Sequence, residues 1–116
     1  MGRDASGRFP RPPMILAMPI VRIEHEEEQP TGWLFQVEML DNDGQSGMTA
    51  VTLSWADYDL WCPGGSMPPH AVIEAVVLFL LSKGPLSSVR SSFDASLARR
   101  LYATADADIP GMICRS

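Results

Sequence analysis

The sequence has only two cysteines, Cys62 and Cys114, and a single lysine, Lys83, in 116 residues. Two thiols are too few for a disulfide framework and fit a reducing compartment, which makes a cytoplasmic location the expectation. No apolar run approaches the ~20 residues that a helix needs to cross a bilayer, so no membrane association is expected. Cationic surface is scarce as well: 9 Lys and Arg face 14 Asp and Glu, for a net charge of −5 and a pI near 4.8. Phosphate backbones demand a basic face, so a nucleic-acid partner is not expected. What remains is ordinary for one globular domain, with 46% apolar and 20% charged residues. At this length roughly two-thirds of the extended-chain surface can be buried, enough for a core without metal or disulfide staples.

Charge is segregated along the chain. Residues 1–22 carry Arg3, Arg8, Arg11 and Arg22 against Asp4 alone. From Ile23 to Ser82 there are ten carboxylates and no Lys or Arg. Lys83, Arg90, Arg99, Arg100 and Arg115 then outnumber Asp94, Asp106 and Asp108. Such a block either solvates turns and strand faces, recruits a basic partner, or is neutralised by the chain's own ends. A head-to-tail contact between an acidic sheet and a basic helix would weaken as salt rises.

Residues 1–13 are rich in Gly, Pro and Arg without periodicity and read as a disordered or polyproline-like tail. Residues 14–116 read as a single α+β domain. The Arg residues ahead of Met14–Val21 imitate a secretory leader, but the apolar stretch is short, contains Pro19 and lacks a small-residue cleavage site. Gly2 and Ser6 fit the loose N-myristoylation pattern, which is too common to carry weight. Met14 is an alternative start.

Three strands follow, with period-two patterning. Val21, Ile23 and His25 share one face of the first; Trp33, Phe35, Val37 and Met39 share one face of the second; Thr49, Val51 and Leu53 share one face of the third. Pro30-Thr31-Gly32 and Asp41-Asn42-Asp43-Gly44 mark turns, so a three-stranded antiparallel meander is expected. Three or four helices should pack on it. Ser54 is an N-cap for a short helix from Trp55, and Pro68-Pro69 suits the first turn of a second that stops at Gly84-Pro85. A turn or short helix is expected over Leu86–Phe93, with Asp94 capping Ala95–Tyr102. Ala103–Ser116 should trail off through Pro110-Gly111.

Ala71–Leu81 is apolar at every position except Glu74. A helix without a polar face must be covered on all sides. If the sheet and the later helices do not suffice, a homodimer through residues 71–81 is the natural remedy.

The run Val51-Thr52-Leu53-Ser54, Tyr58, a Gly/Pro loop, the helix with Phe79-Leu80-Leu81, and Ser88-Val89 before Phe93-Asp94 resembles a group of small uncharacterised bacterial proteins. In that group a short β-meander is followed by helices. The resemblance spans the last two-thirds of the chain, and Trp61-Cys62-Pro63 and the alanine-rich tail depart from it. It implies an architecture and carries no reaction, cofactor or catalytic residue.

Several constellations could carry chemistry. Cys62, followed by Gly64-Gly65 and by His70 at a helix start, is the candidate thiol pair, although no Asn or Asp is placed to orient the histidine. His70 and Glu74 lie one helical turn apart and would need Cys62 or His25 to hold a metal, and their spacing matches no zinc pattern. Asp41–Gly44 lacks the alternating ligands of a calcium loop. Glu26-Glu27-Glu28 look uniformly solvated, whereas carboxylate catalysis needs two acids in unlike environments. Trp55, Tyr58 and Trp61 recur every third residue and could form an aromatic platform for a ligand or a proline-rich peptide such as Phe9–Pro13, or could dock the helix on the sheet. These features favour a non-enzymatic interaction or accessory protein without metal or cofactor, acting on a protein partner or by self-association, with Trp55, Tyr58, Trp61 and Glu74 as its candidate surface. A small thiol- or metal-dependent enzyme, or a small-ligand binder, centred on Trp55–His70 is the alternative.

Overall fold

Alternating apolar residues produce three long strands, β1 (Ile20–Gln29), β2 (Gly32–Leu40) and β3 (Ser46–Ser54), paired antiparallel in chain order. The computed structural model describes residues 19–41 and 44–114; the expected tail over 1–13, Met14–Met18, Asn42-Asp43 and residues 115–116 lie outside the described residues. Trp33, Phe35, Val37 and Met39 of β2 and Thr49, Val51 and Leu53 of β3 are buried on one face, as their periodicity requires.

β1 departs from its simple alternation. Val21 and Ile23 oppose Met39 and Val37, but the register breaks between Ile23 and His25. Beyond that bulge Glu26 and Glu28 oppose Phe35 and Trp33, while His25 opposes Gln36. Glu24 is the extra residue, and a one-residue slip exchanges the two faces. His25 therefore leaves the face of Val21 and Ile23, contrary to the sequence pattern, and Glu26 turns toward the helices.

Helix α1 (Trp55–Trp61) starts as expected, with Ser54 Oγ accepting a 3.1 Å hydrogen bond from the Asp57 amide. Gly64 and Gly65, both with positive φ, reverse the chain. Helix α2 (Pro69–Lys83) then begins on proline and ends at Gly84-Pro85. Ala71, Val72, Ile73, Ala75, Val76, Val77, Phe79, Leu80 and Leu81 are all buried.

The segment beyond α2 differs from expectation. Leu86–Ser88 is a single 3₁₀ turn, and β4 (Ser92–Asp94) adds to β3 in the parallel sense. The sheet is thus four-stranded and mixed, in the order β1-β2-β3-β4, not a three-stranded meander. A parallel neighbour requires a crossover, which α1 and α2 supply. Four helices are present among the described residues, including α3 (Leu97–Leu101). Ser96, not Asp94, occupies the N-cap position of α3. Asp94 instead accepts from Thr52 Oγ1 at 2.7 Å and from the Ser96 amide at 3.1 Å.

The expected trailing end is a helix as well, α4 (Ala105–Cys114), with Pro110 inside it. Ala105, Ile109 and Ile113, spaced four apart on one face, are buried. They pack on α2, which therefore lies between the sheet and α4. The apolar helix is covered within one chain, so its burial does not call for a second copy. No helix among the described residues is long and apolar enough to cross a membrane.

Gly32 fixes the start of β2 against β3. A Cβ there would stand 1.9 Å from the Leu53 carbonyl oxygen. Gly32→Ala should therefore cost about 2–4 kcal/mol in urea unfolding, because rigid backbone cannot yield as a side chain would.

Candidate functional site

The aromatic triplet of α1 does not form one platform. Residues three apart on a helix are rotated by about 60° from one another, so the outer two diverge by about 120°. Trp61 points inward, 1% exposed, whereas Trp55 is 47% exposed. Trp55 stacks on Trp33 with ring centroids 4.3 Å apart, and Tyr58 meets the same ring edge-on at 5.4 Å. Trp33, which the sequence marks as sheet core, is thus the hub of this cluster. The Tyr58 hydroxyl donates to the Met67 carbonyl at 2.5 Å and ties α1 to the loop before α2. Burial pushes the Tyr58 hydroxyl above its usual pKa, with the nearby Cys62 thiol adding to the effect.

Cys62 is buried, and its thiol lies 3.8 Å from Ser66 Oγ and 3.9 Å from the Met67 carbonyl oxygen. His70 is exposed and turns elsewhere, with Nδ1 3.9 Å from Glu26 Oε1. The β1 bulge creates that pairing by turning Glu26 to the helix side. His70, Glu74 and Glu26 border a shallow depression with Val21 and Ile23, and Cys62 is not among its lining residues. His25 is on the opposite face of the sheet. No group of three His, Cys, Asp or Glu side chains among the described residues could hold a metal ion.

A second polar cluster has no local sequence signal. Arg99 of α3 lies 3.7 Å from Asp57 of α1 and makes a paired contact with Asp106 of α4, Nε to Oδ1 at 2.8 Å and Nη2 to Oδ2 at 3.3 Å. Asp106 Oδ1 also accepts from Trp61 Nε1 at 3.0 Å. Burial, and then the nearby Asp94, push Asp57 above the usual carboxylate range, with Arg99 opposing them. Burial also pushes Asp94 up, but hydrogen bonds from Ser96 and Thr52 prevail and hold it below that range. Hydrogen bonds from Trp61 and Arg99 lower Asp106. Carboxyls driven apart in this way are a frequent mark of acid–base sites. Here Arg99 bridges Asp57 and Asp106, and Asp106 also accepts from Trp61, so the arrangement works as a clamp joining α1, α3 and α4.

The remaining feature is the sheet face turned away from the helices. Ile20 and Leu40 are cross-strand partners on it, 56% and 38% exposed, and Met48 is 52% exposed two residues beyond Ser46, the partner of Leu40. Beside them Arg22 sits 3.5 Å from Glu24 and 3.3 Å from Glu38. Ile20, Arg22, Glu38, Leu40 and Ser46 line a small groove there.

Two outcomes follow from the clamp. Asp106→Ala should cost about 1–3 kcal/mol in urea unfolding, because it strands the indole N–H of buried Trp61. The pH dependence has two signs. Asp94 and Asp106, lowered in the fold, stabilise it at neutral pH and lose that contribution as pH falls through their folded pKa values, below about 4. Asp57, raised in the fold, favours folding more as pH falls toward about 4. Urea midpoints measured from pH 7 to pH 3 should show Asp57→Asn losing the gain above about pH 4 while keeping the loss below it.

Comparison of the chain with protein-family models, with curated proteins and with solved structures returns no match.

Proposed function

We propose that this protein is a non-enzymatic interaction module that self-associates through the sheet face turned away from the described helices. The observation that carries this reading is the set of large apolar side chains, Ile20, Leu40 and Met48, exposed on that face. Scattered apolar residues on a surface are ordinary, but three large ones on adjacent strands of one sheet face, beside charged groups, are the composition of a contact surface. A second copy suits it because the patch is self-complementary. Apolar side chains can stack on their own kind, and each Arg22 can reach Glu24 or Glu38 of the other copy across a two-fold axis.

Size sets the strength. Strands of nine and ten residues, at ~4.8 Å spacing and ~3.4 Å per residue, give three long strands a face of roughly 15 by 30 Å. Standard stable complexes bury about 800 Å² per partner. The expected dimer is therefore weak and concentration-dependent. The competing enzyme reading has less support, since Cys62 and His70 turn to different neighbours.

Light scattering after size exclusion, from about 10 µM to 1 mM, should show the mass rising from monomer toward dimer, at concentrations where weak interfaces populate. The double variant Leu40→Glu, Met48→Glu should remain monomeric with an unchanged thermal midpoint. A strictly monomeric wild type over that range would overturn the proposal, as would a variant that associates equally well.

A further inference from the structure

On the opposite side of the sheet, α2, the loop after its 3₁₀ turn, β4 and α3 border a cavity of about 250 Å³. Leu80, Phe93, Leu97 and Leu101 make it largely apolar, and Arg90 and Tyr102 add polar groups. Leu101 is 57% exposed, so the cavity reaches solvent. Its sheet-side wall is fixed by the chain itself: Thr49 Oγ1 donates to the Arg90 carbonyl at 2.7 Å, and the Ala50 amide to the Ser91 carbonyl at 2.9 Å.

Charge distinguishes this corner from the rest of an acidic protein. Arg22 and Arg99 are paired with carboxylates, whereas Lys83, Arg90 and Arg100 form no ion pair among the described residues, and of these three Arg90 borders the cavity. Lys83 stands over the rings of Phe79 and Tyr102, 5.1 and 5.9 Å from their centroids, and Tyr102 borders the cavity. A cavity walled mainly by apolar side chains and bordered by the unpaired Arg90, in a chain of net charge −5, selects an anion with an apolar body.

We propose that this cavity binds a small free carboxylate with an apolar chain, of the size of a medium-chain fatty acid. The chain lies among Leu80, Phe93 and Leu97, and Arg90 pairs with the carboxylate. Size supports this choice: dry cavities of about 150 Å³ lined by Leu and Phe accept benzene, so the larger space here admits a chain of about eight carbons. Burial of the chain supplies the drive, and the guanidinium supplies the discrimination against neutral analogues. For a ligand of about ten heavy atoms the expected Kd lies at tens to hundreds of micromolar.

Calorimetric titration of the full chain with octanoate, 1-octanol and acetate tests the assignment. Octanoate should bind at one site and acetate should not, because the head group alone buries no chain. Arg90 is exposed, so Arg90→Gln should leave the thermal midpoint unchanged. It should weaken octanoate about tenfold while leaving 1-octanol unaffected. Leu97→Trp, which fills the cavity, should abolish binding of both. The proposal is overturned by the absence of saturable octanoate binding at several millimolar, by equal affinity for octanoate and 1-octanol, or by unchanged binding in Arg90→Gln. Binding to phosphatidylglycerol vesicles without binding to free octanoate would overturn it too.

Discussion

The rest of the structure depends on one requirement, that a helix with almost no polar face be covered on every side. Ala71–Leu81 cannot lie on a sheet with its back to water, because each large apolar side chain left exposed forgoes roughly 1.5–3 kcal/mol. The sheet covers one side, and α4 covers the other with Ala105, Ile109 and Ile113. The crossover that brings the chain back after α2 also delivers β4 to the edge of β3. All the described helices are thereby recruited to one side, and no described helix covers the outer sheet face. Exposure of Ile20, Leu40 and Met48 is thus linked to the burial of α2.

The bulge in β1 decides the chemistry of the nearer edge. Up to Ile23 the strand gives apolar residues to the core; past it the same face receives Glu26 and Glu28. Carboxylates would be costly beneath a helix, and both are exposed where β1 runs out along the edge. The result is an acidic margin beside His70 and Glu74, wide and open, with too few converging ligands for a metal. Cys62 meanwhile is turned into the packing between α1 and its following loop. The two residues that sequence spacing made partners are separated by the geometry of different elements.

Local pattern made much of this legible. The three long strands, the Ser54 cap, the proline start and the Gly84-Pro85 stop of α2 all rest on short-range rules. The parts that were not legible depend on distant partners. Ser92-Phe93-Asp94 is too short for periodicity and is a strand because Ala50, Val51 and Thr52 offer an unpaired edge. Pro110-Gly111 looks like a break, yet α4 continues through it because Ile109 and Ile113 have α2 to bury against. At the candidate site, three-residue spacing grouped Trp55, Tyr58 and Trp61 in sequence, but their 120° of arc splits them between solvent and core. The Asp57, Asp106 and Arg99 cluster draws on three helices and has no sequence signature.

Charge segregation along the chain is partly undone by folding. Arg22, from the basic start, returns to Glu24 and Glu38 of the acidic block, and Arg99, from the basic end, returns to Asp57. The Arg22–Glu38 and Arg99–Asp57 pairs join segments that folding must bring together: β1 to β2, and α3 to α1. The exposed Arg22 pairs contribute little stability one by one, typically up to about 1 kcal/mol, whereas Arg99 meets a buried Asp57. Their consequence is local neutralisation, which leaves acidic surface concentrated at the end of β1 and Arg90, unpaired among the described residues, just before β4. β4 borders the cavity through Phe93, while Ser92 and Asp94 lie beside Ala50 and Thr52 of β3. The Ala50 and Ala95 amides and the Thr52–Asp94 hydrogen bond tie this three-residue strand to β3, so the cavity wall that Phe93 supplies is fixed by the sheet and not by a loop.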